Sequence, residues 1–109
     1  MFVKTLPYAT GELRHRSYWV DGQKHRLDGP ASIWYYKNGT VQHETYMFRG
    51  KKHRDNGPAI ILYNNKSEPV AWEFYKNGTV LPKEAFDYVM DEYGRVTDMD
   101  SFNLIWSIL

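Results

Sequence analysis

The chain contains no cysteine, which excludes disulfides and thiolate metal sites and suits a reducing compartment. It contains no apolar run near the roughly 20 residues that a membrane span requires. The opening stretch MFVKTLPYATGELRHR is too short and too broken to hold the apolar core of a secretory signal. GxGxxG, phosphate-loop and HExxH patterns are all missing. None of Ser17, Ser32, Ser67, Ser101 and Ser107 sits in a nucleophile-elbow context. A large excess of one charge is missing too, because 14 Lys/Arg stand against 13 Asp/Glu. These absences predict a soluble, cytoplasmic, non-catalytic protein with no metal, no cofactor and no membrane association.

Aromatic side chains are plentiful. They form 17% of the 109 residues and hydrophobics 42%, which describes one globular domain with a modest core. Charge is divided unevenly along the chain. Residues 1–54 hold ten Lys/Arg and four Asp/Glu, for +6; residues 55–109 hold four and nine, for −5. Such halves neutralise each other within one molecule or bring copies together head to tail, so self-association is one expectation.

The dominant feature is duplication. GQKHRLDGPA at 22–31 returns as GKKHRDNGPA at 50–59, a shift of 28 residues. The same shift carries Tyr8 to Tyr36, Tyr18 to Tyr46 and then Phe74, and Gly22 to Gly50 and then Gly78. ASIWYY alternates on a period of two, as a strand does. Lys37-Asn38-Gly39 supplies a turn tolerant of positive φ, and TVQHETYMF returns as the second strand. AIILY, NNKSEP and VAWEFY repeat the scheme up to an Asn77-Gly78 turn. The predicted fold class is α+β: an antiparallel β-meander of at least five strands, built from 28-residue hairpin repeats over residues 1–81.

Within the decapeptide, Asp28-Gly29 and Asn56-Gly57 predict turns, and Gly29 and Gly57 are expected in a backbone conformation costly for other residues. Pro30 and Pro58 suit the first position of a strand. Arg26 and Arg54 are placed to clamp carbonyls of the connection or, in the first copy, to pair with Asp28. His25 and His53 are placed to stack under the turn.

The pattern Tyr-x-x-x-Gly-x-Lys-His-Arg-x-Asp/Asn-Gly-Pro-Ala-x-x-x-Tyr over residues 8–81 resembles the short repeats of many small bacteriophage proteins. It is also similar, more distantly, to MORN repeats, whose units are β-hairpins; here the period is longer and Arg follows the His. The resemblance implies a repeat sheet and a phage source, and transfers no catalytic residue.

Residues 82–109 are expected to form two helices packed on one sheet face within the same domain. Pro82 opens the first, Phe86, Val89, Met90 and Tyr93 form its apolar stripe, and Gly94 stops it. Asp98 or Asp100 caps the second, with Phe102, Ile105 and Leu109 along one face.

The four histidines His15, His25, His43 and His53 are repeat-equivalent in pairs, and equivalent positions two strands apart stand about 9–10 Å apart, too far to share one metal. Two binding surfaces remain. The first is a sheet face bearing Trp19, Trp34, Met47 and Tyr75, opposite Tyr18, Tyr35 and Phe74, with the composition of a protein-recognition hot spot. For a phage-like chain this implies a factor that binds and inhibits or redirects a host protein. The alternative is a basic edge of Lys24, His25, Arg26, Lys51, Lys52, His53 and Arg54 that takes nucleic acid or a nucleotide.

Overall fold

Turn chemistry sets the first level of order. Asp21-Gly22 (φ 50° and 76°), Arg49-Gly50 (48° and 81°) and Asn77-Gly78 (48° and 86°) each put two successive residues in the left-handed region. That backbone joins two strands in the tightest right-twisted hairpin. At the other ends of the hairpins, wider loops close when the N–H of Tyr8, Tyr36 and Asn64 donates to the carbonyl of Glu12, Thr40 and Glu68, at 2.8, 2.8 and 2.9 Å.

In this computed structural model, which describes residues 1–109, those turns connect ten strands. They are β1 (Phe2–Pro7), β2 (Leu13–Val20), β3 (Gln23–Lys24), β4 (Ser32–Tyr35), β5 (Val41–Thr45), β6 (Met47–Phe48), β7 (Lys51–Lys52), β8 (Ile60–Tyr63), β9 (Pro69–Lys76) and β10 (Thr79–Leu81). The main sheet runs β1-β2-β4-β5-β8-β9-β10, every neighbour antiparallel, with β3 on β2 and a separate β6-β7 ribbon. The expected meander is present. Hairpin tips lie side by side, since Gly50 N–H donates to the Lys24 carbonyl at 2.9 Å and Gly78 N–H to the Lys52 carbonyl at 2.8 Å. Pro30 and Pro58 stand just before β4 and β8, where a missing donor costs no ladder bond.

The two helical elements differ from expectation. Lys83–Val89 is a 3-10 segment, and only Met99–Ile108 (α1) is an α-helix. Phe86 and Val89, three residues apart, are both buried, as a three-residue turn allows. Met90 lies past the end of the segment yet still packs against the same core, whereas Tyr93 is exposed. Asp91 accepts bonds from the N–H groups of Tyr93 and Arg95 and from Arg95 Nε. A short acidic side chain that binds the backbone in this way competes with the helix, and the chain turns back so that Met90 bridges Val96. Asp98 caps α1 by accepting from Ser101 N–H at 3.1 Å. In α1, Phe102 is buried and Ile105 and Trp106 pack beside it, whereas Leu109 is exposed. No helix is long and apolar enough to cross a membrane.

The core is concentrated at one end. Phe74 stacks on Phe86 with ring centroids 4.3 Å apart, Phe86 lies 4.8 Å from Phe102, and Leu81 and Val89 complete the cluster. The second layer therefore meets the sheet at β9 and β10 and does not roof the whole face. Only 13 of 109 residues are buried, and the molecule measures 44 × 35 × 18 Å. Away from this cluster it is a single sheet.

Candidate functional site: an open sheet face and its clamps

Residues paired across antiparallel strands share a face, and alternation assigns the rest. One cross-strand row is His15, Trp34, His43, Leu62; the next is Ser17, Ser32, Thr45, Ile60, Glu73. Trp19 and Tyr75 follow on the same side, because they lie two residues beyond Ser17 and Glu73. Lys24 pairs with Trp19, Lys52 with Met47, and Lys4 with Ser17. The helices lie on the opposite side with Phe74. The face carrying Trp19, Trp34, Met47 and Tyr75 is thus free of the second layer, and all four side chains are half-buried.

The rings on this face are held in place. Trp19 Nε1 donates to Ser17 Oγ at 2.8 Å. Trp34 stacks on His15 at 4.1 Å, and His15 Nε2 in turn bonds Ser32 Oγ at 2.8 Å. His43 Nε2 bonds Thr45 Oγ1 at 3.0 Å. Burial, then the charges of Lys24 and His43, lowers the pKa of His15. Burial and Lys52 lower that of His43, against the opposite pull of Glu44. The imidazoles therefore prefer the neutral form. Trp34 separates the two histidines, and no group of three His, Asp or Glu side chains converges anywhere in the chain.

Of the seven residues expected to make a basic edge, Arg26, His53 and Arg54 line one hollow of about 500 Å³, and the others are distributed around it. Arg26 lies over the Tyr18 ring at 4.0 Å, with Nε to Asp28 at 3.2 Å and Nη1 to the Pro30 carbonyl at 3.2 Å. Arg54 lies over Tyr46 at 3.8 Å and bonds Asn56 at 3.0 Å and the Pro58 carbonyl at 3.1 Å. His25 Nδ1 accepts Arg49 N–H at 2.9 Å, and His53 Nδ1 accepts Asn77 N–H at 3.0 Å. Each of these histidines ties its loop to a neighbouring hairpin tip. Lys24 and Lys52 belong to the open face, whereas Lys51, paired with Phe48, belongs to the other.

The conformation expected of Gly29 and Gly57 is not found: neither has a positive φ. A Cβ would stand 2.9 Å from the Arg26 guanidinium carbon in one loop and 2.9 Å from Arg54 Nη1 in the other. Glycine leaves room for the arginine clamp.

On the helix-bearing side, a groove of about 780 Å³ runs beside Glu44, Tyr46, Arg54, Ile61, Tyr63 and Arg95. Tyr63 donates to Glu44 Oε1 at 2.5 Å. Burial first, then this bond to a carboxylate, raises the phenol's pKa. Lys4, His15 and His43 are parts of the open face that sequence patterning did not single out for it. Strand register was the available signal, since His15 takes the parity of Trp19 and His43 that of Met47. No protein-family model, curated protein or solved structure matches the chain.

Proposed function

We propose that the chain is a non-catalytic binding module, assembled from 28-residue hairpin units, whose open sheet face takes a protein partner. The observation that carries this reading is the gathering of Trp19, Trp34, Met47 and Tyr75 on the face that the helices leave uncovered. Trp19 and Trp34 are oriented by bonds and stacking within the protein, so little ordering entropy is lost when they dock. Left-handed turns spaced 28 residues apart support the unit, as do the two arginine clamps and the two histidine ties. The likeness of HRxDGPA to phage repeats supports a host protein as the target, met in the host cytoplasm.

Capture of a partner from nuclease-treated host lysate, then titration of the purified partner, tests the reading. Trp34→Ala weakens binding by at least about 2 kcal/mol and leaves the circular dichroism spectrum unchanged. If Tyr18→Ala abolishes binding in a folded protein while Trp34→Ala does nothing, the helix-bearing face is the binding face.

Nucleic acid is the second reading, favoured by Lys4 and Lys24 beside Trp19 and Lys52 beside Tyr75. It requires Lys24→Ala with Lys52→Ala to dominate and affinity to fall steeply with salt.

A further inference from the structure

Resting on the open face as the binding surface, we infer that its partner is an extended acidic segment of a protein, with two carboxylate positions about six residues apart. Each aromatic ring of the recognition set has a cation near it. The Lys4 and Lys24 ammoniums both stand 5.7 Å from the centre of Trp19, the Arg14 guanidinium 5.8 Å from Trp34, and the Lys52 ammonium 5.2 Å from Tyr75. Two acids accompany them. Glu73 already accepts the Tyr75 hydroxyl at 3.1 Å, and Asp21 lines the same hollow as Lys4 and Trp19. The cations thus outnumber the acids by two, and the surplus faces solvent where a partner docks.

The same geometry favours carboxylates over stacked bases. Trp34 has His15 against it, so an imidazole occupies one side of the ring where a base would stack, and the two lysines beside Trp19 offer ammoniums to a carboxylate. Between the ends lie Met47, Ile60 and Leu62, aliphatic groups suited to the apolar side chains of a peptide. Trp19 on β2 and Tyr75 on β9 are four strand steps apart, about 19 Å, which about six residues of extended chain span. One carboxylate is met by Lys4 and Lys24, the other by Lys52, and apolar side chains cross the middle.

Selection from a random dodecapeptide library on the immobilised protein tests this. Enrichment of Asp or Glu at two positions five to seven apart, with apolar residues between, is the expected result. Affinity of the selected peptides falls at least tenfold in Lys4→Ala/Lys24→Ala and at least tenfold in Trp34→Ala. Enrichment without acids, still lost in Trp34→Ala, overturns the acidic segment and keeps the open face. Binding that ignores Trp34→Ala overturns the open face itself. Tighter binding of a dT12 strand than of any selected peptide assigns the face to nucleic acid and overturns the inference.

Discussion

A guanidinium lying 3.8 Å over the Tyr46 ring, with two further bonds to its own loop, is costly to remove. Arg54→Ala loses the cation–π contact and frees a carbonyl, and is expected to destabilise the fold by about 1–3 kcal/mol in thermal unfolding. Arg54→Lys recovers less than half, because an ammonium lacks the planar fork. Gly57→Ala is expected to cost up to as much, since its Cβ displaces the same guanidinium. In the Arg54→Ala background it costs nearly nothing. An equal penalty in both backgrounds would assign the glycine to backbone strain. The importance of Gly29 and Gly57 is thus legible in the duplicated motif, but its cause is not: a tight approach by a side chain three residues earlier leaves no trace in composition. His15 and His43 give a second test at this scale. Their pKa values are depressed in the fold, so their stabilising contribution is complete above the unfolded value of about 6.5 and is lost as pH falls through the folded values. Urea midpoints are expected to drop between pH 7.5 and pH 5, and to drop less in His15→Gln/His43→Gln.

Elements form where local chemistry and burial agree. β4, β8 and β9 match ASIWYY, AIILY and VAWEFY within one residue at each end, because period two has no helical competitor there, whereas TVQHETYMF is divided at Tyr46 into β5 and β6. The stretch from Lys83 to Gly94 carries a three- and four-residue apolar spacing that both helix types accept, and the carboxylate of Asp91 decides against the longer one. In α1 the sequence narrowed the N-cap to Asp98 or Asp100, whereas the packing of half-buried Trp106 in place of Leu109 follows from its contact with Lys76 at the end of β9, which the helix sequence does not encode. Asp98→Ala is expected to cost about 1 kcal/mol as a lost cap. Phe102→Ala is expected to cost about 3–5 kcal/mol as a cavity beneath Phe74 and Phe86. Denaturant titration of the two variants checks the order.

Across the whole molecule, three positions 28 residues apart are covered in two ways. Tyr18 and Tyr46 lie under arginine guanidiniums, and Phe74 lies under Phe86 and Phe102. A thin sheet with one thick end follows, and its other face carries Trp19, Trp34, Met47 and Tyr75. The aromatic members of that face were legible from strand parity. The cations were not, because Lys24 and Lys52 sit in a Lys-His-Arg string whose other members turn inward to the backbone. The four tryptophans offer the most direct test, since Trp19 and Trp34 lie on the open face while Trp72 and Trp106 pack against the helix-side core. Oxidative footprinting of the protein, alone and saturated with a captured partner or selected peptide, reads each indole separately. Binding is expected to protect Trp19 and Trp34 and to leave the rates of Trp72 and Trp106 unchanged; protection confined to Trp72 and Trp106 would place the partner on the helix-bearing side instead.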